Sequence, residues 1–299
     1  MRRVLIAGAT GYLGKHVVVE FKKRGYWVRV LVRNPKKLEV IGPYLEPAVS
    51  DLVDEVFGGD VTKPETLKGI CEDMDIVFSS VGITKPKEKA SFMDVDYKGN
   101  KAILEEALKS SVKKFIFVSV FRGQEFTEIE VIRAREMFVK ELEKSGLGYT
   151  VIRPTGFFSD MTEFLKMARK GRVYIIGSGE NRINPIHGAD LAKICADAVD
   201  SAKKEISVGG PEVFNYIEIA ELAFEILNKK PKIIKIPVVI AKGFTKIMRI
   251  FSKKYHTLMK FFVTAMTNDF VAPKTGVHRL RDYYQEILEH LEKVNHKNK

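Results

Sequence analysis

The chain has 299 residues, 45% of them hydrophobic and 29% charged, with a formal net charge of +12. That is an ordinary globular composition, enough for one large domain or a domain with a cap. No apolar run is long enough to span a bilayer. Strand-forming residues begin at Arg3 with no basic-then-apolar leader before them, so a cytoplasmic protein is expected. The two cysteines, Cys71 and Cys195, sit in apolar helical contexts without disulfide or metal spacing and read as buried free thiols.

Arg3–Ala7 is a short apolar strand closed by Gly8. A helix follows with Leu13, Val17 and Phe21 on one face, and Gly25 stops it. Trp27–Val32 is the second strand, which completes a βαβ unit in about thirty residues. EVFGGD ends a third strand at Asp60, DIVFSSVG is a fourth, KFIFVSV a fifth and YTVIRP a sixth. The clearest intervening helices are residues 98–110 and 129–145. Near-continuous apolar strands alternating with helices predict an α/β, Rossmann-type doubly wound parallel sheet.

The first turn reads GATGYLG, with Gly8, Gly11 and Gly14 in the spacing of a dinucleotide fold. Gly8 permits the tight turn, Gly11 lets backbone approach a pyrophosphate, and Gly14 lets helix and strand pack closely. The helix start offers N–H groups to phosphates, so Thr10, Tyr12 and Leu13 join the cofactor-binding set. Its place between a strand and a helix supports the motif. The second strand ends in LVRNPKK: Arg33 stands where a carboxylate would hold a ribose 2′-OH, with Lys36 and Lys37 behind it. An Arg fork suits a 2′-phosphate, so NADP(H) is expected over NAD(H).

With LVRNPKK, GGDVT, VKKFIFVSV, YTVIRPTGFF and INPIHGADLA following in order, the chain resembles the short-chain dehydrogenase/reductase superfamily, in its atypical, NmrA-like branch, over roughly residues 1–225. Isoflavone-type and chlorophyllide vinyl reductases are relatives of that kind. So are redox-sensing regulators and an accessory subunit of respiratory complex I that hold the nucleotide without turnover. The resemblance implies Asp60 and Val61 by the adenine and Ser80, Val81 and Gly82 past the adenosine ribose. It also implies Ser119 beneath the nicotinamide and Pro154, Thr155, Gly156, Phe157 and Phe158 lining its face. Asp60 has an alternative as turn initiator, and the two phenylalanines an alternative as core.

Relatives that catalyse by the usual route use a Tyr and a Lys four residues on, the Lys lowering the phenol pKa. Counting back from IRP, the Lys place falls on Arg135 and the Tyr place on Val131; the fifth strand ends Ser119–Val120, not in two serines. Arg135 is no general acid near neutrality. It is instead a candidate for the nicotinamide ribose or for developing negative charge, or else a surface arginine among the solvent-face charges Arg133, Glu136, Lys140 and Glu141. Ser119 and Arg135 are thus weak catalytic candidates, with Tyr97, Thr155 and water as other proton sources. His187 is a candidate acid–base, with packing or capping as the alternative for it and for Asp190.

After Pro154 the pattern changes to a smaller cap, residues 157–179 and 205–294, while 180–204 return to the nucleotide-binding domain of 1–156; 295–299 read as a disordered tail. RVYIIGSGENRIN is a hairpin or two short strands, and an amphipathic helix carries Ile219, Leu222, Ala223 and Ile226 on one side. Phe157, Phe158, Met161 and Phe164 form an apolar cluster at the cap entrance. The leading expectation is an NADP(H)-dependent oxidoreductase acting on an apolar molecule (a quinone, enone or lipid-like compound). The rival is a non-catalytic NADP(H)-binding sensor or assembly protein.

Residues 229–262 hold ten Lys/Arg and no Asp/Glu. Ile240, Phe244, Ile247 and Phe251 repeat at helical spacing, with Lys242, Lys246, Arg249 and Lys253 on another face. The alternatives are a helix on an anionic membrane surface, within 238–262, and a stripe packed on the cap with solvated lysines. No nucleic acid is expected, since the segment lacks an interleaved stacking platform.

Overall fold

A computed structural model describes residues 1–83 and 90–297, with side chains described through residue 291. In chain order the elements are β1 (Arg3–Ala7), α1 (Tyr12–Lys23), β2 (Trp27–Val32), β3 (Glu55–Gly58) and β4 (Ile76–Ser79). A π-helical turn, Met93–Gly99, then runs into α2 (Asn100–Leu108), followed by β5 (Lys114–Val118), α3 (Glu130–Lys144) and β6 (Gly148–Pro154). The second half holds α4 (Phe158–Arg169), β7 (Val173–Ile176), β8 (Arg182–Ile183), α5 (Gly188–Asp197), β9 (Glu205–Val208), β10 (Phe214–Asn215) and α6 (Tyr216–Ile226). It ends with β11 (Ile233–Ile236), α7 (Val238–Phe251), α8 (Lys253–Met266) and α9 (Leu280–Lys297).

The chain divides into two compact units, Met1–Arg153 with Leu191–Ser207, and Pro154–Asp190 with Val208–Lys299. The first is built on a seven-stranded sheet in the order β3-β2-β1-β4-β5-β6-β9. Neighbouring strands from β1 to β6 pair in parallel. This is the doubly wound architecture read from the alternation of strands and helices. Val4–Ala7 of β1 and all of β4 are buried, so these strands carry unbroken apolar runs because helices cover both faces. Leu13, Val17, Val18 and Phe21 bury one face of α1, each worth about 1.5–3 kcal/mol relative to exposure. The strand order reverses between β1 and β4, the position where an open α/β sheet leaves a crevice at its carboxyl ends. Cys71 and Cys195 are free and buried; burial, reinforced by the Glu106 carboxylate, pushes the Cys71 thiol up to about 12.

In the second unit, β7 pairs in parallel with β11 and β8 antiparallel with β10. RVYIIGSGENRIN is therefore two short strands in separate sheets, not a hairpin, because each half finds its partner further along the chain. A capping box starts α6: Asn215 Oδ1 accepts the Glu218 N–H at 2.8 Å, and the Glu218 carboxylate accepts the Asn215 N–H at 2.8 Å. Ile219, Leu222 and Ala223 are buried along α6, and Ile226 is half-buried. The helix expected over 98–110 begins as the π-helical turn, five residues earlier. The tail expected to be disordered from Asn295 is helical as far as Lys297; residues 298–299 lie outside the described residues.

Candidate functional site

The glycine-rich turn lies at the switch point. Gly8 has φ +90°, a conformation L side chains rarely adopt, and a Cβ there would lie 2.7 Å from Ser80 Oγ at the end of β4. Gly11 N–H closes the turn onto the Gly8 carbonyl at 3.0 Å. A Cβ on Gly14 would stand 2.0 Å from the Gly8 carbonyl oxygen, so α1 packs on the turn only because nothing is there. Gly11 is the N-cap of α1, with no side chain capping the helix. A helix start without a side-chain cap is one at which an anion can be held. Thr10 and Tyr12 are half-buried, the Tyr12 ring edge-on to Tyr44, while the Leu13 side chain is core and offers only backbone. Lys15, unnoticed in sequence, is buried and donates to the Val40 carbonyl, tying α1 to the loop after β2. Burial pushes its pKa down, against the pull of Glu46.

Arg33 is exposed just past the end of β2, and among the described residues at that strand end there is no carboxylate in the ribose-binding place. Asp60 accepts hydrogen bonds from the Thr62 N–H (2.9 Å) and hydroxyl (2.8 Å), which makes it a turn initiator. Its partial burial raises the pKa, but those bonds and the nearby Arg33 and Lys63 charges outweigh it and hold the carboxyl below its usual value. Val61 is half-buried against Gly99, where a Cβ would meet its side chain at 2.9 Å. Val81 is buried, its carbonyl accepting from Asn100 Nδ2 at 3.2 Å. These residues follow β3 and β4, where ligands of such sheets bind.

Around Arg135 and Glu136 of α3 the structure places two ion pairs. Arg135 Nε donates to Asp96 Oδ1 at 3.0 Å and Arg135 Nη1 to the Val118 carbonyl at 3.0 Å. Asp96 is fully buried and also accepts the Ile83 N–H at 3.1 Å. A Cβ on Gly82 would lie 2.1 Å from Arg135 Nη2, so the glycine makes room for the pair. Arg135 is therefore a fork joining α3, β5 and the π-helical turn, not a surface arginine. Glu136, expected on the solvent face, is buried. It accepts from the Ser119 hydroxyl at 2.7 Å and from Arg153 Nη1 (2.7 Å) and Nη2 (3.0 Å). Tyr97 donates to Glu141 at 3.1 Å.

Within the second unit, Pro154 is buried and the Thr155 hydroxyl donates to the Asn184 carbonyl at 2.7 Å. Gly156 and Phe157 are half-buried beside Ile186, whose N–H donates to the Gly156 carbonyl at 2.8 Å. Phe158, Met161 and Phe164 are core, contrary to their expected place at a cap entrance: Phe158 packs edge-on to His187, and Phe164 stacks on Tyr216. His187 Nδ1 caps the Ala189 N–H and its ring stacks on His278 at 4.2 Å. Asp190 accepts the Val277 and His278 N–H groups. Both therefore have the packing and capping partners that the alternative reading gives them.

The family described as NAD(P)H-binding matches residues 8–202. The chain belongs to this family. Its motifs resemble those of the atypical short-chain dehydrogenase/reductases. Photosystem II assembly factor Ycf39 of Synechocystis sp. is 26% identical over 85% of this chain and 76% of its own length. Divinyl chlorophyllide a 8-vinyl-reductase of Arabidopsis thaliana is 29% identical over 79% of this chain and 60% of its own length. Among solved structures, Citrobacter sp. triphenylmethane reductase superposes with a TM-score of 0.73 at 14% identity, covering 97% of this chain and all of that one. The NADPH-dependent quinone oxidoreductase QOR2 of Escherichia coli, complexed with NADPH, superposes at 0.70 and 16% identity, covering 95% and 99%. At these identities the structural likeness speaks for the fold.

Proposed function

We propose that this NAD(P)H-binding protein prefers NADP(H) and passes a hydride to an apolar acceptor, a quinone, enone or lipid-like molecule, without a protein proton donor. The observation that carries the reading is the commitment of each polar candidate near the Tyr–Lys place. Val131 has no proton to give, Arg135 is held by Asp96 and the Val118 carbonyl, and the Ser119 hydroxyl is turned to Glu136. The Tyr97 hydroxyl donates to Glu141.

The bound cofactor supplies the hydride. The chain's part is binding and orientation: the α1 N-terminus, brought close by the Gly8–Gly14 contact, would hold the pyrophosphate, and Arg33 would take the 2′-phosphate. Reduction of a saturated ketone leaves a strongly basic alkoxide, which needs an acid in place. A reduced quinone or enone leaves a phenolate or enolate, a far weaker base that takes its proton from water. Acceptors of that second kind suit a site whose polar groups, among the described residues, are already engaged.

The same commitments favour one other reading, a non-catalytic NADP(H)-binding protein, and the relatives' names, an assembly factor and a vinyl reductase, point to both classes. Single-turnover mixing of NADPH-loaded protein with a panel of quinones and enones separates them. Oxidation is expected with at least one acceptor, and tight NADPH binding with none oxidised selects the non-catalytic reading. Arg33→Asp is expected to weaken NADPH binding roughly tenfold to a hundredfold while improving NADH binding; equal NADPH affinity in the variant removes Arg33 from the site. Val131→Tyr with Arg135→Lys is expected to bring no gain in carbonyl reduction, because an ammonium does not reproduce the fork to Asp96 and the Val118 carbonyl. A large gain would show that the usual geometry survives.

A further inference from the structure

We infer that α7 lies in the surface of an anionic lipid bilayer. The helix buries only Ala241 and Thr245, with Val238 and Met248 half-buried along the same face. At 3.6 residues per turn, Lys242, Lys246 and Arg249 line one flank of that face. The remaining arc, roughly 140° wide, carries Val239, Ile240, Phe244, Ile247, Ile250 and Phe251. All six are 52–82% exposed. The stripe seen in the sequence is therefore not packed on its own unit; it faces outward and is wider than the four-residue repeat. Scattered exposed apolar residues are ordinary, but a contiguous row rimmed by charge marks an interaction surface.

Charge selects the occupant. Residues 229–262 contain ten Lys/Arg and no carboxylate, three of the ten, Lys253, Lys254 and Lys260, lying on α8. A second copy of the chain would bring like charge against like charge. A bilayer with acidic headgroups offers opposite charge to the cations and hydrocarbon to the row, the pairing of an interfacial amphipathic helix. Fourteen residues make α7 about 21 Å long, short of the ~30 Å hydrocarbon core. Among the described residues no helix is long and apolar enough to cross a membrane. The helix therefore lies in the plane. This inference stands whether or not the chain oxidises NADPH.

The test is co-sedimentation with vesicles of phosphatidylcholine alone and of phosphatidylcholine mixed with phosphatidylglycerol, at low and high salt. Binding is expected on the mixed vesicles only, weakening as salt screens the cations. Lys242→Glu, Lys246→Glu and Arg249→Glu together should lower affinity by more than a hundredfold, at about fivefold or more per cation. Ile247→Ser, Ile250→Ser and Phe251→Ser together keep every cation and should still lose at least tenfold. Both triple variants alter exposed side chains and are expected to keep wild-type NADPH affinity. The inference is overturned by no binding to mixed vesicles at low salt, or by equal binding to neutral ones. It is equally overturned if the serine variant binds like wild type, or if sedimentation velocity shows a dimer that the serine variant dissolves.

Discussion

Glu136→Ala is expected to destabilise the first unit by about 3–5 kcal/mol, the cost of leaving a buried charge without its partner. Arg153 is 2% exposed, and the buried Glu136 accepts from two of its nitrogens, at 2.7 and 3.0 Å. Among the described residues the buried Arg153 Nε has no acceptor, which leaves the guanidinium the Val120 carbonyl at 3.3 Å and Glu205. Glu205 holds one nitrogen at 2.8 Å, but its side chain is 42% exposed and the contact is screened by water. The Ser119 hydroxyl would lose its acceptor as well. Trp27, the one tryptophan of the chain, lies in β2 and reports on this unit. Urea unfolding followed by its fluorescence should show a large fall in the midpoint for Glu136→Ala, and a loss below ~1 kcal/mol for Glu205→Ala. An unchanged midpoint for Glu136→Ala would mean that the network adds nothing to the fold.

The second large effect is expected at the glycine turn, where two alanine substitutions should fail in different ways. At Gly14 the new Cβ meets backbone on three sides, 2.0 Å from the Gly8 oxygen, 2.7 Å from its carbon and 2.8 Å from Ala9 Cα. No side chain can swing aside, so α1 or the turn must shift. Gly14→Ala should lose both NADPH binding and much of the stability of the first unit. At Gly11 the Cβ meets only the Gly8 oxygen, at 3.4 Å, an ordinary contact. Gly11→Ala should therefore unfold like wild type in the absence of nucleotide and bind NADPH at least tenfold more weakly, because the methyl group stands where backbone must approach the pyrophosphate. Calorimetric titration beside urea unfolding separates the two. Unchanged NADPH affinity in Gly11→Ala would place the pyrophosphate elsewhere.

The strands of the first unit were legible because their signal is local: apolar runs of four to seven residues broken by glycine and polar turns. The glycine turn was legible for the same reason. The partners of Arg135 were not, since Asp96 lies 39 positions away and nothing local ties the two. A signal for burial did exist. Phe92, Val95, Asp96, Gly99, Asn100 and Ile103 follow helical spacing, which puts a carboxylate on an apolar stripe. Ile129, Ile132, Glu136 and Val139 do the same for Glu136. In both cases a polar residue in a buried register announces a partner without naming it. The aromatic cluster after Pro154 misled in the opposite sense. Phe158, Met161 and Phe164 fill the interior of the second unit, and composition alone does not distinguish a core from the lining of a pocket.

The shallow seating of α7 and α8 also sets how the backbone breathes. Each helix buries two of its fourteen residues, whereas α1 buries six of twelve. Lifting the pair exposes little apolar surface, so the opening free energy is small compared with unfolding the rest of its unit. Amide hydrogens of residues 238–266 should thus exchange with deuterium through a sub-global opening. Those of β1, β4 and β5, enclosed on both faces, exchange only when the first unit unfolds as a whole.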